Sequence, residues 1–288
     1  MNILVTGANG QLGTSLQNIT HNTGHNYIFT DVAELDITDI NAIRVAVERE
    51  DIQVIVNCAA YTQVDRAESD PSTANLINHE AVRNLATVAR QYNATLIHIS
   101  TDYVFGGNRN NKPCTEEEPT NPTGVYGVTK LAGEKAIIES GCKHIIIRTA
   151  WLYSPYGKNF MKTMCDLTAN RERVNVVFDQ VGTPTFAHDL ALAIRFIIDS
   201  QQLHKHGLYH YSNQGVCSWY DFAHAIASLA HHNNCKVMPC HSSEFPSPVE
   251  RPAYSVLDKT KFIKTFDLDI RHWYDALQEA IALTLSQQ

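Results

Sequence analysis

Tyr126 and Lys130 lie four positions apart in this 288-residue sequence and are its strongest candidates for chemistry. On a helix, that spacing places both side chains on one face, one turn apart. The reference pKa of tyrosine is about 10, and bringing it near 7 requires about 4 kcal/mol of phenolate stabilisation. A nearby ammonium supplies part of that stabilisation. Because the spacing alone is common on helix surfaces, other residues must agree with it.

The segment from Thr6 to Gly13 reads TGANGQLG, so its glycines recur every third residue directly after an apolar run. Glycine lets the backbone turn tightly and approach a pyrophosphate, and the amides of a following helix N-terminus stabilise negative charge. In a strand-to-helix context, this spacing predicts dinucleotide binding. We therefore expect Gly7, Gly10 and Gly13 to form a loop that binds NADH or NADPH.

Further cofactor contacts are predicted after the second and third apolar runs. Asp31 follows the second run, where an acid can accept hydrogen bonds from the adenosine ribose. Asp36 and Ile37 are expected to bracket the adenine, and the small residue Ala60 suits a backbone that passes close to the cofactor. Because no Lys or Arg precedes Arg44, the 2′-phosphate of NADPH would meet Asp31 without a basic partner. We expect NADH to be favoured.

Short apolar runs alternate with segments of helical length through the first half of the chain. These runs are Ile3 to Val5, Tyr27 to Thr30, Val54 to Val56, Leu96 to Ile99 and His144 to Arg148. Buried parallel strands read as such runs, and their crossovers need about ten or more residues. The pattern predicts an α/β fold, a Rossmann-type doubly wound parallel sheet.

The second half of the chain is punctuated by proline and glycine, which indicates shorter elements and a smaller C-terminal substrate-binding lobe. We expect residues 1–150 to be mainly the dinucleotide-binding domain and residues 151–288 mainly the substrate-binding lobe. A segment at about 174–200 is expected to return to the first domain.

Specific elements are also predicted in this half. Val174 to Phe178 reads as a further sheet strand, and Ala187 to Asp199 has the apolar spacing of a helix. Trp273 to Leu285 reads as an amphipathic closing helix.

The composition excludes several classes of protein. The sequence has 23 basic and 30 acidic residues, a formal charge of -7, and no basic patch for nucleic acid. Its seven cysteines lack a Cys-x-x-Cys pair, and it carries no signal-peptide pattern or membrane-length apolar run. We expect a cytoplasmic protein with reduced thiols, no membrane partner and no bound metal, and read the cluster between His231 and His241 as a loop.

Three features converge: the glycine loop, the run from Ser100 to Tyr103 after the fourth strand, and the Tyr126-x-x-x-Lys130 pair. Together they resemble the extended short-chain dehydrogenase/reductase family, and more narrowly its branch that reduces 4-keto nucleotide sugars. The matching segments are Thr6 to Gly13, Val56 to Glu68, Ser100 to Phe105, Tyr126 to Glu134, Arg148 to Tyr153, Asn159-Phe160, Asp179 to Thr185, and Arg251-Pro252 with Ser255.

The resemblance implies a role for each matching residue. Tyr126 would donate a proton to the C4 carbonyl oxygen, Lys130 would hold the nicotinamide ribose and lower the pKa of Tyr126, and Thr101 would hydrogen-bond the same oxygen. Contacts with the nucleotide-sugar substrate fall at Thr101, Asp102, Trp151 and Arg251. Cofactor contacts fall at Gly10, Gln11, Leu12, Asp31, Asp36, Ile37, Ala60, Tyr61 and Thr62, besides Tyr126 and Lys130.

One departure from the family concerns metal and assembly. Some members dimerise around magnesium held by acidic side chains, but the matching positions here are Ser15 and His188. Neither is a carboxylate, the ligand that magnesium prefers. We therefore expect no metal, and a monomer or homodimer.

Two alternatives share the fold, because fold and cofactor do not fix the reaction. The first is a nucleotide-sugar dehydratase or epimerase. A dehydratase would carry an acid where Tyr103 stands, whereas an epimerase uses the Tyr and Lys pair equally well, although such relatives are usually longer and hold NAD permanently. The second alternative is a non-enzymatic regulatory subunit, which has no chemical need for Thr101, Tyr126 and Lys130 together.

Overall fold

The computed structural model describes residues 1–21, 23–108, 111–245 and 247–286. The strands are β1 (Asn2–Thr6), β2 (Asn26–Thr30), β3 (Ile52–Asn57), β4 (Thr95–Thr101), β5 (Lys143–Thr149), β6 (Leu152–Tyr153), β7 (Arg173–Val177), β8 (Val181–Gly182), β9 (Thr185–Phe186), β10 (Gly207–His210), β11 (Cys217–Ser218) and β12 (Lys236–Cys240).

The helices are α1 (Gln11–Ile19), α2 (Ile40–Arg49), α3 (Val64–Ala67), α4 (Pro71–Asn75), α5 (Ala81–Gln91), α6 (Val125–Ser140), α7 (Phe160–Asn170), α8 (Ala187–Asp199), α9 (Trp219–Leu229), α10 (Thr260–Phe266) and α11 (Trp273–Leu285). A π-helical turn (Leu76–Glu80) joins α4 to α5, and a 3-10 turn (Asp102–Phe105) follows β4. Further 3-10 turns lie at Gln202–His204 and Ser242–Glu244.

The main sheet has the strand order β10-β5-β4-β3-β1-β2, and its neighbouring strands pair in parallel. All five strands predicted in the first half of the chain are present, and the doubly wound parallel sheet is confirmed. The chain moves from β1 to β2 on one side and then to β3 on the other. The carboxyl ends of β1 and β3 therefore form the switch point where such sheets bind ligands.

Successive residues of each buried strand face opposite layers of helices. In β1, Ile3 and Val5 pack into one core with side chains of α1, α8 and α10. Leu4, between them, packs into a second core with side chains of α2 and α5. Because both faces are covered, the strands of this sheet lack the polar alternation of a half-exposed strand.

The segment expected to return to the sheet divides into two parts. Helix α8 has the predicted bounds and packs against α1 in the first core. The expectation that Val174 to Phe178 joins the main sheet is wrong, because β7 pairs with β12 in a separate two-stranded sheet. In β7 only alternate residues, Val174 and Val176, are buried, as suits a strand covered on one face. The sixth strand of the main sheet is instead β10, which the sequence pattern did not predict.

A third core lies between α7, α9, α11 and β7. Helix α11 has the predicted bounds, and its Ala276, Leu277 and Ile281 pack against Phe222 of α9. Within the described residues, every helix falls short of the length and apolar character that crossing a membrane requires.

Candidate active site

The glycine loop after β1 closes tightly on the loop after β3. Gly7 has a φ of +67°, and a Cβ added there would lie 2.6 Å from the backbone nitrogen of Ala59. A Cβ added to Gly13 would lie 2.6 Å from the Cα of Ala8. Gly10 precedes α1 and offers no capping side chain, so the first amides of the helix face the loop. This side-chain-free cradle fits a dinucleotide pyrophosphate.

Asp31 lies beside this cradle, at the carboxyl end of β2. Its carboxylate accepts hydrogen bonds from the backbone amides of Asn9, at 2.9 Å, and Val32, at 2.8 Å. Exposed Asp36 accepts from the amide of Thr38 at 2.9 Å. The Asp31 carboxylate is therefore fixed next to the glycine loop, where a ribose would reach it.

Three of the predicted cofactor residues turn toward the protein. Leu12 is 4% exposed and Ile37 is 8% exposed, and their side chains pack into the first and second cores respectively. Of the pair expected to bracket the adenine, only Asp36 presents its side chain. Gln11 accepts hydrogen bonds from Ser154 and Asn159, each at 3.0 Å, and so ties α1 to the segment after β6.

The loop after β3, which contains Ala60, Tyr61 and Thr62, is held by Asn78 of the π-helical turn. The amide of Tyr61 donates to Oδ1 of Asn78 at 2.9 Å, and Nδ2 of Asn78 donates back to the carbonyl of Tyr61 at 3.1 Å. Tyr126 packs against the cluster of Tyr61, Ala67 and Ala74, and Nδ2 of Asn78 also donates to the hydroxyl of Thr129 on α6 at 3.3 Å. One buried amide side chain therefore joins the cofactor loop to the catalytic helix.

Thr101, Asp102 and Tyr126 meet at the carboxyl end of β4. Thr101 ends the strand, and its hydroxyl accepts from the amide of Tyr103 at 3.2 Å. Tyr126 lies in the first turn of α6, and its ring contacts that of Tyr103 edge-on, with 5.4 Å between centroids. Burial raises the pKa of Tyr126 to about 12, against the effect of its hydrogen bond with Thr101, and the Asp102 carboxylate raises it further. The phenol is thus held protonated.

Lys130 is 1% exposed and points into the protein. Its Nζ donates to the carbonyl of Ile99 at 2.6 Å and lies 3.4 Å from Nε2 of His98. Burial lowers the pKa of Lys130 to about 8, while Glu134 acts to raise it. We expected Lys130 to lower the pKa of Tyr126; in the structure burial raises that pKa instead, and the Lys130 amine is directed at β4.

Asp102 is a buried carboxylate at the same strand end, 2% exposed. Its Oδ1 accepts from the Thr101 hydroxyl at 3.1 Å. The Ser255 hydroxyl lies close enough to the carboxylate to lower its pKa, although Oδ2 makes no hydrogen bond of full geometry among the described residues. Burial raises the pKa of Asp102 to about 6. A buried acceptor without a donor costs free energy, so this oxygen is ready to accept a hydroxyl from a ligand.

Trp151 follows β5 in a backbone conformation that bulky residues rarely adopt, with a φ of +49°. Its indole stacks on that of Trp219, with 3.5 Å between centroids and 9° between planes. A Cβ on Gly182 would lie 2.7 Å from the Trp151 ring, so glycine makes room for it. Arg251 reaches the other lobe and pairs with Asp65 at 3.1 Å.

Sequence reasoning missed several residues of this site. Trp219, which packs on Trp151, lies in an apolar helix pattern that gave no sign of a site. Asn78 lies in a π-helical turn, which the periodicity of a helix does not reveal. Asn57 and His98 end up in contact under Lys130, at 3.0 Å from each other. A polar residue within a buried strand was the one available signal for them.

The chain was compared with known proteins. A family model described as the RmlD substrate binding domain matches residues 1–285. The chain belongs to this family.

Individual relatives of the RmlD family cover nearly the whole chain. A dTDP-4-dehydrorhamnose reductase of Escherichia coli (strain K12) is 40% identical over 95% of this chain and 94% of its own. A crystal structure of a dTDP-4-dehydrorhamnose reductase from Clostridium acetobutylicum is 42% identical, with a TM-score of 0.93, over 99% of this chain and 100% of its own. That of Bacillus anthracis, solved in complex with NADP, is 37% identical, with a TM-score of 0.92, over 98% and 99%.

Ser15 and His188 are the positions at which the sequence led us to expect no magnesium site. Ser15 is 1% exposed, and its hydroxyl donates to the carbonyl of Gln11 at 2.8 Å. Across the described residues, groups of three or more His, Cys, Asp and Glu side chains nowhere come together as a metal site would require.

Proposed function

We propose that this chain reduces the C4 keto group of dTDP-4-dehydro-6-deoxy-L-mannose (dTDP-4-dehydro-L-rhamnose) to give dTDP-L-rhamnose. NADH or NADPH is the reductant, and the reaction is the last step of dTDP-rhamnose biosynthesis. The observation that carries the proposal is the meeting of Thr101, Asp102 and Tyr126 at the end of β4, joined through the Tyr61 loop to the glycine cradle. Full-length relatives named as this reductase support it.

The residues of the first lobe would hold the cofactor. The amides at the start of α1 and the cradle of Gly7, Gly10 and Gly13 bind the pyrophosphate, and Asp31 accepts from the adenosine ribose. The loop of Ala60, Tyr61 and Thr62 borders the nicotinamide half. When bound, NADH or NADPH supplies the hydride.

The proton for the new hydroxyl comes from Tyr126. Reduction requires an acid that is still protonated when negative charge develops on the C4 oxygen, and the raised pKa of Tyr126 keeps it protonated at neutral pH. The Thr101 hydroxyl would turn from Asp102 to donate to the same oxygen, which stabilises the transition state more than the ground state. The Lys130 amine would turn from the carbonyl of Ile99 to hold the nicotinamide ribose.

The second lobe supplies substrate contacts in this proposal. Trp151 covers the sugar, Asp102 accepts a sugar hydroxyl, and Arg251 pairs with the diphosphate. Residues 1–150 are thus mainly cofactor-binding and residues 151–288 mainly substrate-binding, with α8 returning to the first lobe. A cytoplasmic location and a monomeric or homodimeric state remain predictions.

Activity is tested by supplying NADH or NADPH with the keto sugar already epimerised at C3 and C5. We expect one molecule of cofactor to be oxidised for each molecule of dTDP-L-rhamnose formed. Altered sugar stereochemistry without cofactor oxidation would indicate an epimerase instead. Nucleotide binding without turnover would favour a regulatory subunit.

Tyr126→Phe tests the proton donor. We expect kcat to fall roughly 100-fold to 10,000-fold, while cofactor binding persists because the ring remains. The control is Tyr92→Phe, since the Tyr92 hydroxyl donates to Glu48 on α2, away from the site. Near wild-type turnover in Tyr126→Phe would refute the assignment.

A further inference from the structure

Four buried side chains form a continuous chain of contacts beneath the catalytic helix. The Thr6 hydroxyl donates to Oδ1 of Asn57 at 2.7 Å, and Nδ2 of Asn57 lies 3.0 Å from Nδ1 of His98. Nε2 of His98 lies 3.4 Å from Nζ of Lys130. Thr6, Asn57, His98 and Lys130 are each at most 1% exposed. Bulk solvent therefore does not reach these groups.

The backbone fixes which way round the Asn57 amide stands. The backbone nitrogen of Ala59 lies 3.1 Å from Oδ1 of Asn57 and can only donate a hydrogen bond. Flipping the amide would set two donors against each other at this contact. Oδ1 therefore faces Ala59 and Thr6, and Nδ2 donates to Nδ1 of His98.

The orientation of Asn57 in turn fixes the proton on His98. Nδ1 accepts from Asn57 and so carries no hydrogen. Burial holds the pKa of His98 well below its usual range, and Lys130 lowers it further, so the imidazole is neutral. A neutral imidazole with a bare Nδ1 carries its proton on Nε2. That N–H is directed at Lys130.

Lys130 responds to this donor through its own charge state. An ammonium has three N–H donors and no lone pair, so it cannot accept from Nε2 of His98. A neutral amine accepts there and still donates to the carbonyl of Ile99, 2.6 Å away. The contact with His98 thus favours the neutral amine.

A charged group on the other side of Lys130, the Glu134 carboxylate, favours the protonated amine. Glu134 lies one turn along α6 and raises the pKa of Lys130. Its carboxylate is already engaged by Arg148 of β5, at 2.7 Å, and by the hydroxyl of Ser100 of β4, at 2.5 Å. Asp102 faces Tyr126, one turn before Lys130. Of these groups, His98 alone presents a neutral N–H to the amine.

We propose that His98, oriented by Asn57, is a positioning residue that weakens the hold of Lys130 on its proton. The inference deepens the proposed function, since Lys130 belongs to the same site. It adds His98 to burial as a cause of the low proton affinity of Lys130, through a relay of contacts that begins at Thr6 of β1, under the cofactor loop. The relay would set the pH at which Lys130 becomes charged.

The first test measures the histidine directly. In protein labelled with ¹⁵N at histidine, without cofactor or substrate, the His98 signal is assigned by its loss in His98→Leu. We expect Nδ1 to carry no proton and Nε2 to carry one throughout the pH range in which the fold is stable, about pH 6 to about pH 9. A proton on Nδ1, or a charged ring, would overturn the proposal.

The second test follows Lys130 through the ¹³Cε signals of labelled lysine, with Lys130→Arg used for assignment. In the wild type, the midpoint is expected at about 8. His98→Leu removes the opposing N–H, so the midpoint should rise by about one pH unit. His144→Leu is the control, because His144 bonds to the carbonyl of Cys142, away from Lys130. An unchanged midpoint in a folded His98→Leu protein would contradict the proposal.

Asn57→Asp provides a second variant in case His98→Leu does not fold. Its carboxylate needs a donor from Nδ1 of His98, so the proton should move from Nε2 to Nδ1. The bare Nε2 then accepts from the Lys130 ammonium, and the Lys130 midpoint should rise by more than about one pH unit. A proton that stays on Nε2 would refute the relay.

In active His98→Leu enzyme, the limb of the pH profile of kcat/KM that reports Lys130 should move to higher pH. A purely structural role would lower kcat at every pH and leave the limb in place. The spectra need no substrate, so they distinguish failure of the relay from failure of the proposed reaction.

Discussion

Burial of the Asp102 carboxylate lowers the stability of the fold. Its carboxylate has one oxygen bonded to Thr101, while the other has only the nearby Ser255 hydroxyl and no hydrogen bond of full geometry in the described part of the chain. Folding favours its protonated form, because burial raises its pKa from 3.8 to about 6. Such strain between stability and binding is common where a protein prepares a polar group for a ligand.

The pH dependence of this cost has a definite sign. Because the folded pKa is raised, the native state binds the Asp102 proton more tightly, and stability is lost as pH rises through about 4 to 6. Asp102→Asn should therefore be more stable than wild type at pH 8, by about 3 kcal/mol, with the difference vanishing below about pH 4. Urea unfolding at both pH values measures it. Asp179→Asn, which removes the charge and the Oδ2 acceptor from the hydrogen bonds that Ser242 donates, should be destabilised instead.

Asp31 governs a second prediction, the choice of cofactor. Two backbone amides fix its carboxylate beside the glycine loop, where it would repel a 2′-phosphate. We expect kcat/KM to be higher with NADH than with NADPH, by about threefold to tenfold at low ionic strength and less at high salt. Asp31→Ser should narrow the ratio. A clearly higher kcat/KM with NADPH would mean that Asp31 does not select the cofactor.

Among the elements, the π-helical turn between α4 and α5 has the most local influence on the site. It turns Asn78 inward to bond both backbone polar groups of Tyr61 and, at 3.3 Å, the hydroxyl of Thr129 on α6. Gly133 of α6 approaches the backbone of this turn so closely that a Cβ would collide with the carbonyl of Asn78. The turn therefore fixes the positions of both the Tyr61 loop and the catalytic helix α6.

Asn78→Ala should loosen the loop of Tyr61 while leaving the catalytic groups present. Losing these buried hydrogen bonds is worth about 1 to 3 kcal/mol, so the KM for the cofactor should rise roughly tenfold or more. The control is Asn75→Ala, whose side chain bonds only with His79 in the same helical stretch. Equal cofactor KM values in the two variants would exclude this role.

The elements also show which features of the fold could be predicted from the sequence. The strands of the main sheet from β1 to β5 were predictable, because continuous apolar runs and a glycine loop both reflect burial on two faces. Neither the pairing of β7 nor the existence of β10 was predictable. Pairing depends on partners distant in sequence, and β10 is four residues long, with the polar His210 buried.

The same limit applies within the site. Tyr126, Lys130 and Thr101 stand in motifs whose spacing carries chemistry, so their importance was visible in the sequence. The environment of Lys130 was not visible, since Asn57 and His98 come from different strands. Burial, which reverses the expected pKa shift of Tyr126, is likewise a property of the assembled fold.

For the whole molecule, the relation between the lobes is the decisive feature. Arg251, from the C-terminal segment, reaches Asp65 of α3 in the first lobe, and Ser247 donates to the same carboxylate at 3.3 Å. Both partners are partly exposed, so the pair adds at most about 1 kcal/mol to stability. Its significance is that Arg251 links the C-terminal segment to α3 of the first lobe.

Arg251→Ala should raise the KM for the nucleotide sugar roughly tenfold or more, since a guanidinium pairs strongly with a diphosphate. The KM for the cofactor should not change. Asp65→Asn is the matched variant, because it releases Arg251 from its ion pair, and its sugar KM should stay equal or fall. A sugar KM unaffected by Arg251→Ala would remove this residue from the substrate site.

The stacked indoles give the molecule an optical signature of its own. Trp151 and Trp219 are two of its three tryptophans, and rings 3.5 Å apart exchange electronic excitation. They connect the segment after β5 with the first turn of α9, so their coupled signal exists only while these two segments of the second lobe are packed together. Near-ultraviolet circular dichroism should therefore report this packing, and sugar binding against Trp151, without any label.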